Sequence, residues 1–345
     1  RHKSLNELIN KDNYSLSYVR IDDAIQAITR YGRDAGLCKC DIVDAFKLCP
    51  IKPELWHLYG VKWQGEYYFY CRLAFGSRSS PKLFDYLSQA VCWIAHHKYG
   101  IECIFHLLDD FLTCDSPGDA AVRTMALLTH IFGRLGIPLS PKKTVGPATE
   151  LEYLGIVLDT VRMEARLPLD KLQRIRGMLQ QYIHRKRCTK RELLCLIGHL
   201  IFASRVIIPG RSFVSYLITL STSVTELHHH VTLTAECRRD LAMWSLFLQG
   251  WNGISMFLDH GITHSHKINL YTAYSSIGFG VYYDKQWVQS QWVEVSTFDP
   301  SISSSEVARE LYPIVVAAVI WGDTWHGKRI AFPCLNAATV EACKK

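Results

Sequence analysis

The sequence predicts an α+β protein with more than one part, and three observations lead to this class. Short apolar and aromatic runs alternate with helical patterns over residues 35–160. Residues 166–260 are predicted to be helical throughout, and strand-like runs return from Ile268 onward. The chain has 345 residues, 48% of them hydrophobic and 21% charged, which excludes a largely disordered protein. This length corresponds to two or three domains of roughly 100–200 residues each.

The first half of the chain predicts a sheet with helices packed around it. Strand-like runs lie at Leu37–Cys40, Tyr67–Leu73, Ile101–Leu107, Phe111–Thr113 and around Leu151–Leu158. Helical spacing predicts helices over Ile21–Tyr31, from Ser80 to Gly100, and from Asp119 to about Leu135. Ser80 is predicted as the N-cap of the middle helix because its hydroxyl precedes Pro81, and Gly100 ends that helix. The runs on either side of Asp109-Asp110 are expected to form a hairpin.

The second half predicts helices first and strands later. Asp170 is predicted to cap one helix, and Thr189-x-x-Glu192 is a capping box that opens the next. Three antiparallel strands are expected at Ile268–Thr272, Gly278–Tyr283 and Trp287–Trp292, followed by a helix over Ser305–Trp321 and a strand over Arg329–Cys334. The change of pattern at Ile268 indicates a separate C-terminal domain.

Charge and cysteine content narrow the class of protein. Lys and Arg number 39 against 32 Asp and Glu, a net charge of +7 that is compatible with binding nucleic acid. The 12 cysteines include no C-x2-C pair of a zinc site, which favours reduced thiols in an intracellular protein, whether cytoplasmic or nuclear. The longest apolar stretch, from about Leu193 to Ile208, contains His199 and Arg205. It is too short and too polar to span a membrane.

Three acids are the candidate catalytic residues. Asp41 ends the first apolar strand, and Asp109 and Asp110 lie together at the tip of the predicted hairpin. Adjacent like charges are costly unless a cation or solvent compensates them. The Asp-Asp pair alone would indicate an ordinary solvated turn, whereas Asp41 together with the loop Gly76–Pro81 favours a site. Carboxylates from more than one backbone segment can hold two divalent ions for phosphoryl transfer.

Five segments resemble, in order, the successive motifs of the palm of reverse transcriptases. They are Asp41–Phe46, Leu73–Phe84, Leu107–Asp110, Pro141–Thr144 and Glu152–Gly155, the third having leucine in place of the tyrosine of the family's Tyr-x-Asp-Asp box. The resemblance covers residues 35–160 and implies an RNA-directed DNA polymerase with a right-hand palm. It implies Asp41 and Asp109 as ligands of two Mg²⁺ ions, with Asp110 assisting and Mn²⁺ as an alternative ion.

The same resemblance implies a site for deoxynucleoside triphosphates. Its residues would be Ile42, Asp44, Ala45, Phe46, Phe75, Gly76 and Lys143. Phe46 would stack under the sugar and exclude a ribose 2′-hydroxyl, although on its own it would indicate only a core aromatic. Backbone amides near Asp44 would meet the triphosphate. Lys143 would lie near the leaving pyrophosphate, and a solvated loop lysine is an equally good interpretation.

Contacts to an RNA or DNA template-primer are implied for two further groups of residues. The first group is Ser80, Pro81, Tyr153, Leu154 and Gly155, from the second motif and the primer grip. The second is the basic cluster Arg185, Lys186, Arg187, Lys190 and Arg191, in a helical region that would be the thumb. Clustered cations beside a palm would neutralise phosphates and make binding salt-dependent. Without the palm this cluster would indicate a solvated charged face, and His228–His230 indicates an exposed loop rather than a metal site.

Two further features indicate which type of polymerase the chain resembles and what its C-terminal domain is. The segment Gly198–Arg211, Phe75 and the leucines of the third motif resemble DIRS-type retrotransposon polymerases, which join the polymerase to a ribonuclease H domain. Taken alone, Gly198–Arg211 indicates a buried helix. The resemblance places the ribonuclease H acids at Ala273, Glu310 and Leu335, of which only the second is an acid here. Because alanine and leucine cannot coordinate metal, nuclease activity is predicted to be lost.

The expected organisation has three parts. Residues 1–160 would be partial fingers and palm, 161–262 a helical thumb and connection, and 263–345 a truncated, degenerate ribonuclease H-like domain. The fingers hairpin that grips the triphosphate is expected to be absent, because it would lie upstream of Ser4–Ile9 and the chain begins at Arg1 without Met. Two functions compete: a retroelement RNA-directed DNA polymerase, and a decayed or co-opted remnant that only binds nucleic acid. A metal-dependent phosphatase is disfavoured because it leaves the motif order unexplained, and the oligomeric state is not predicted.

Overall fold

The computed structural model describes residues 4–250, 253–255, 262–292, 305–325, 328–334 and 336–344. The chain divides into two units, Arg1–Met256 and Phe257–Lys345. Helices and mainly antiparallel sheets occur in both units, so the predicted α+β class is confirmed. Within the described ranges, no helix is both long and apolar enough to cross a membrane.

Helices and strands are interspersed along the chain. The described helices are α1 (Leu5–Leu8), α2 (Ile21–Tyr31), α3 (Ser80–Tyr99), α4 (Ala120–Arg134), α5 (Leu169–His184), α6 (Lys190–Ala203), α7 (Ser215–Thr222), α8 (Ala235–Gly250), α9 (Glu306–Trp321) and α10 (Ala337–Lys344). The described strands are β1 (Gly36–Asp41), β2 (Gly60–Trp63), β3 (Glu66–Phe69), β4 (Ile104–Leu107), β5 (Asp110–Asp115), β6 (Val145–Ala148), β7 (Glu150–Tyr153), β8 (Ile156–Asp159), β9 (Glu164–Arg166), β10 (Arg187–Thr189), β11 (His230–Thr232), β12 (Gly253–Ser255), β13 (Ile262–His264), β14 (Leu270–Tyr274), β15 (Gly278–Tyr283), β16 (Gln286–Gln291) and β17 (Arg329–Ala331).

A four-stranded antiparallel sheet with the order β4-β5-β1-β6 forms the centre of the first unit. The predicted hairpin is confirmed, since β4 and β5 pair on either side of a turn at Leu108 and Asp109. Residues of α3 and α4 pack on this sheet, where Phe84, Phe111 and Phe132 are fully buried. Each buried phenylalanine contributes about 1.5–3 kcal/mol of stabilisation. This packing fixes β1 and β5, whose adjacent ends carry the candidate acids.

Helix α3 has a different N-cap from the one that the sequence suggests. The N-cap is Ser79, and Ser80 lies inside the helix with its side chain fully buried, so the predicted cap is wrong. Pro81 occupies the first turn, where the backbone N–H groups have no partner within the helix and a missing donor costs nothing. Gly100 ends the helix as predicted, in the left-handed conformation with φ +68°.

The aromatic segment after residue 60 forms a hairpin that is shorter than predicted. Strands β2 and β3 pair in antiparallel register, and the strand expected over Tyr67–Leu73 already ends at Phe69. Gln64 and Gly65 connect the strands with φ values of +50° and +90°. Positive φ at both turn residues is the geometry of the two-residue turn that matches the twist of a hairpin.

The region after Leu167 combines helices with very short strands. The capping box is confirmed: Glu192 N–H donates to Thr189 Oγ1, and Thr189 N–H donates to the Glu192 carboxylate at 2.8 Å. Helix α5 begins at Leu169 after Pro168, so Asp170 lies in the first turn and does not cap the helix as predicted. Leu172, Ile175, Leu179 and Tyr182 form the buried face of α5.

The prediction that residues 166–260 are entirely helical is wrong. Strands β10 and β11 pair as an antiparallel ribbon, and β12 joins the sheet β12-β9-β8-β7. Each of these strands has three residues, which is too short for a period-two pattern to be recognised among helices.

The second unit contains the three antiparallel strands that the sequence predicts, in the order β14-β15-β16. Helix α9 begins after its N-cap Ser305, whose hydroxyl accepts a hydrogen bond from Ala308 N–H. Phe279, Trp292 and Trp321 are buried in the core of this unit. The last predicted strand is shortened to β17, which pairs with β13 in parallel.

Candidate active site

The three candidate acids meet at one end of the central sheet. Asp41 is the last residue of β1 and Asp110 the first of β5, and the two lie directly opposite each other in the antiparallel register. The N–H of Ile42 donates to the carbonyl of Asp109 at 3.0 Å, which joins the acidic turn to the end of β1. Two strands that are distant in sequence therefore bring the predicted acids together.

Two lysines, Lys39 and Lys143, each form an ion pair with one of these acids. Only Lys143 was predicted from the sequence. Lys143 Nζ lies 3.2 Å from each carboxylate oxygen of Asp41. Lys39 Nζ lies 3.3 Å from Asp110 Oδ2, and both side chains are less than one fifth exposed. Side chains alternate along a strand, so Lys39 and Asp41 share a face of β1 while Cys38 and Cys40 face the core. That period-two pattern was the available signal for Lys39.

Burial is the main cause of the raised pKa values of Asp109 and Asp110 in the acidic turn. Desolvation raises the pKa of Asp110 to about 6, and Lys39 opposes this shift without cancelling it. Burial also raises the pKa of Asp109, and the nearby Asp41 adds to the increase. The pKa of Lys143 is raised by its hydrogen bond to Asp41. The turn is therefore an anionic site whose charge is incompletely compensated.

The acids fit a hard divalent cation by their chemistry. Asp110 Oδ1 is buried and has no hydrogen-bond partner, so a carboxylate oxygen is left for another ligand. Carboxylate oxygens are the protein ligands that Mg²⁺ prefers, usually one or two together with substrate phosphates. Across the described ranges, no group of three His, Cys, Asp or Glu side chains is poised to hold a metal ion, and Lys39 and Lys143 contact two of the three acids instead.

We expect Asp110→Asn to remove a pH-dependent loss of stability in metal-free buffer. The folded-state pKa of Asp110 is about 6, above its ordinary value of 3.8, so the folded protein binds this proton more tightly than the unfolded chain. Stability is then lost as the pH rises from about 4 through about 6, by at most about 3 kcal/mol at 1.36 kcal/mol per pKa unit. Urea unfolding of both proteins at pH 4, 5, 6 and 7 measures it. Parallel curves for the wild type and the variant would contradict the prediction.

A cleft of about 390 Å³ opens beside the acids. Most of the predicted nucleotide-binding residues line it, together with two of the acids: Asp41, Ile42, Val43, Asp44, Ala45, Phe46, Phe75, Leu108, Asp109, Ser140 and Lys143. The ring centres of Phe46 and Phe75 are 5.0 Å apart, and those of Phe46 and Phe84 are 5.7 Å apart. Phe75 is 80% exposed, whereas Phe46 is half-buried between the other two rings.

The loop of the second motif is held from the N-terminal segment. Gly76 has φ +84°, and its carbonyl accepts a hydrogen bond of 2.8 Å from Asn6 Nδ2. The Arg78 N–H donates to the other end of the same Asn6 amide at 2.8 Å. Gly76 itself is not among the residues that line the cleft.

Helix α3 fixes the acidic turn through a buried hydroxyl. Ser88 is fully buried and donates a 2.7 Å hydrogen bond to the carbonyl of Leu108. Leu108 has φ +54°, a left-handed conformation that non-glycine residues rarely adopt. The hydrogen bond therefore supports a strained residue immediately before Asp109, and the sequence offered no signal for it because Ser88 is separated from the turn by 20 residues.

We expect Ser88→Ala to lower the free energy of unfolding by about 1–3 kcal/mol, because the carbonyl of Leu108 loses its buried donor. Chemical denaturation compares the variant with Ser116→Ala, which removes an exposed hydroxyl elsewhere in the same unit. Equal unfolding midpoints for the two variants would show that the hydrogen bond does not support the turn.

Known proteins resemble the chain in sequence over its first part and in fold. Residues 1–158 match the family described as reverse transcriptase (RNA-dependent DNA polymerase). None of the curated proteins matches the chain.

Solved structures of foamy viral protease-reverse transcriptases have the same fold as the chain. The structure of a dRH form with double-stranded DNA is 16% identical with a TM-score of 0.56, covering 95% of this chain and 54% of that one. A complex with an RNA/DNA hybrid is 16% identical (TM-score 0.54, 92% and 46% covered), and another with double-stranded DNA is 17% identical (TM-score 0.54, 95% and 64% covered). The chain therefore has a reverse transcriptase-like fold and spans less than two thirds of the length of these proteins.

Two of the residues predicted to contact the template-primer of a reverse transcriptase are buried. The side chains of Ser80 and Tyr153 are both fully buried, so contacts from these residues to nucleic acid would have to come from the backbone. Alternation along β7 explains the burial of Tyr153, because Leu151 and Tyr153 face inward while Glu150 and Glu152 face outward. Pro81, Leu154 and Gly155 are partly exposed. Leu154 and Gly155 form the turn between β7 and β8, with φ values of +49° and +80°.

The basic cluster is partly engaged within the protein. Arg185 forms a 2.8 Å ion pair with Glu192, and Lys190 Nζ donates to the carbonyls of Val224 and Thr225 at 2.6 and 3.2 Å. Lys186, Arg187 and Arg191 are exposed, and so are His228–His230, which β10–β11 pairing brings beside them.

The predicted ribonuclease H positions fall in the second unit. Ala273 is exposed on β14, and Glu310 is buried on α9. Leu335 lies outside the described residues. All 12 cysteines of the chain are free of disulfide bonds.

Proposed function

We propose that the protein is an RNA-directed DNA polymerase that adds deoxynucleotides to the 3′-hydroxyl of a primer on an RNA or DNA template. The observation that carries the proposal is the register of β1 and β5, which sets Asp41 opposite Asp110 beside a cleft lined by Phe46, Phe75 and Lys143. A cleft lined by acids that can hold divalent cations and by aromatic rings suits a deoxynucleoside triphosphate, whose phosphates bind such cations and whose sugar and base can contact the rings.

Each residue of the cleft has a role in the proposed reaction. Asp41 and Asp109, assisted by Asp110, would hold two Mg²⁺ or Mn²⁺ ions, which would stabilise charge on the attacking and leaving oxygens. Ile42, Asp44 and Ala45 bring backbone groups to the triphosphate at the start of the short helix Ala45–Leu48. Gly76 shapes the loop that presents Phe75.

The aromatic and basic side chains give the reaction its selectivity and its charge balance. The half-buried ring of Phe46 fills the space beside the sugar, where a 2′-hydroxyl would have to lie. The exposed ammonium of Lys143, which contacts Asp41, is available to balance negative charge on the leaving pyrophosphate.

The template-primer is proposed to run from the cleft past the β7–β8 turn and over the basic cluster. Pro81, Leu154 and Gly155 would contact its backbone, and the exposed Lys186, Arg187 and Arg191 would neutralise phosphates, with Arg185 and Lys190 supporting them. The foamy viral structures of the same fold are complexes with double-stranded DNA and with an RNA/DNA hybrid, which supports this ligand class.

A primer-extension assay tests the proposal. A labelled DNA primer annealed to an RNA template, and the same primer on a DNA template, are incubated with four deoxynucleoside triphosphates and Mg²⁺. The proposal expects extension on both templates. The second candidate, a decayed remnant favoured by the replaced acids at Ala273 and Leu335, expects binding of the duplex without extension.

The subfamily and the domain organisation are also proposals. We propose a DIRS-type retroelement origin, an intracellular location, and a division into fingers and palm (1–160), helical thumb and connection (161–262) and ribonuclease H-like domain (263–345). The replaced acid at Ala273 supports loss of nuclease activity in the last part. Degradation of the RNA strand of an RNA–DNA hybrid that Glu310→Gln abolishes would contradict that loss.

A further inference from the structure

Lys39 joins the acidic turn to the strand that precedes the β7–β8 turn. Its ammonium lies 3.3 Å from Asp110 Oδ2 and donates to the backbone carbonyl of Glu152 at 3.1 Å. The Lys39 side chain is 18% exposed, whereas its bond to Glu152 lies at the exposed surface. One cation in the middle of β1 therefore spans a candidate catalytic acid and β7.

Lys171 continues the connection from the helical region. Its ammonium forms a 3.0 Å ion pair with Glu152 Oε1 and donates to the carbonyl of Gly155 at 2.9 Å. The same ammonium lies 5.1 Å from the ring centre of Phe202 on α6, within the range of a cation–π contact. Glu152 is thus held by Lys39 through its backbone and by Lys171 through its side chain.

Gly155 leaves room for the Lys171 ammonium. A Cβ atom at position 155 would lie 2.5 Å from Lys171 Nζ, closer than real Cβ contacts occur, and 3.0 Å from the Phe202 ring, a tight contact. The positive φ of +80° also favours glycine there. A side chain at position 155 would therefore displace the flexible end of Lys171 from the turn.

We propose that Lys39 and Lys171 are positioning residues of one network, Asp110–Lys39–Glu152–Lys171–Gly155, that sets the Leu154–Gly155 turn at a fixed place relative to the acidic turn. The inference rests on the proposed function only in that this turn contacts the primer. An ammonium bonded to acceptors on two elements ties those elements together at that point. The network would then hold the primer end in line with the acids.

Duplex binding without nucleotides or metal tests the network. Fluorescence anisotropy gives the Kd of a labelled primer–template DNA duplex for the wild type, Lys39→Met, Lys39→Arg, Lys171→Met and the double methionine variant. Lys98→Met, at an exposed position near the end of α3, is the control for loss of one positive charge. We expect each single methionine variant to bind about tenfold more weakly than the control, as contacting residues of one network do. Lys39→Arg should restore most of the binding.

The double variant decides whether the residues act together. In one network the second substitution adds little, so the double variant should bind about tenfold, and not about a hundredfold, more weakly. A Kd for Lys39→Met equal to that of Lys98→Met would show that Lys39 serves Asp110 alone and would overturn the inference. A hundredfold loss in the double variant would overturn it as well.

Urea unfolding supplies a readout that needs no nucleic acid. The midpoint shift of the double variant should fall clearly short of the two single shifts combined. Additive shifts would overturn the network even if the protein extends primers. Coupled shifts together with a failure of primer extension would leave the network standing and remove the proposed function, so the two failures are distinguishable.

Discussion

Asp109→Asn is expected to reduce primer extension by at least about 1,000-fold, which corresponds to about 4 kcal/mol of transition-state stabilisation. Asp109 contributes to the wall of the cleft, and its carbonyl is anchored to the end of β1 by Ile42 N–H. An amide keeps the size of the side chain and removes its charge, so the turn keeps its shape while the ligand for a divalent ion is lost. Single-nucleotide extension at saturating substrate measures the effect.

Asp34→Asn is the matched control for this change. Asp34 lies in the exposed turn before β1, at the opposite end of the strand from Asp41, and asparagine tolerates its φ of +63°. The control should extend primers at the wild-type rate. Duplex binding by Asp109→Asn should stay within about threefold of the wild type, because phosphate contacts dominate affinity. Residual extension within tenfold of the wild type would remove Asp109 from the catalytic group.

The strand ends that carry the acids were predictable because strand periodicity is a local property of the sequence. Leu37–Cys40 indicates a buried strand ending at Asp41, and the runs around Asp109-Asp110 indicate a hairpin, and both are observed. What the sequence could not supply is the pairing of β1 with β5, which sets Asp41 opposite Asp110. No local pattern encodes contacts between distant strands. It was the resemblance of the motif order to that of reverse transcriptases that implied that these acids lie together.

Sequence patterns are least informative where a side chain's environment depends on tertiary packing. Ser80 and Tyr153 belong to segments that resemble nucleic-acid-contacting motifs, yet both side chains face the core. From the sequence alone, Lys39 looks like any other strand lysine and Ser88 like any other helix serine. Their partners, Asp110 and the carbonyl of Leu108, lie in other elements. A motif therefore predicts which segment lies at the site more securely than which of its side chains point there.

The selectivity of the cleft for deoxynucleotides is expected to depend on Phe46. Its ring lies 5.0 Å from that of Phe75 and 5.7 Å from that of the fully buried Phe84, so it packs against both rings. Phe46→Val shortens the side chain and leaves room for one hydroxyl. Steric discrimination in a pocket is worth about 1–3 kcal/mol, so preference for deoxynucleotides should fall by about 100-fold.

The ratio of kcat/KM for dATP to that for ATP on the same primer-template measures this change. The fall should come mainly from better use of ATP, while use of dATP declines by less than about tenfold through lost stacking. Phe69→Val, in the exposed hairpin strand β3, is the control and should keep the wild-type ratio. If Phe46→Val lowers kcat/KM for both nucleotides equally, the ring supports the cleft through packing against Phe84 and does not discriminate between sugars. Unchanged kcat/KM values for both nucleotides would mean that the sugar does not lie beside Phe46 at all.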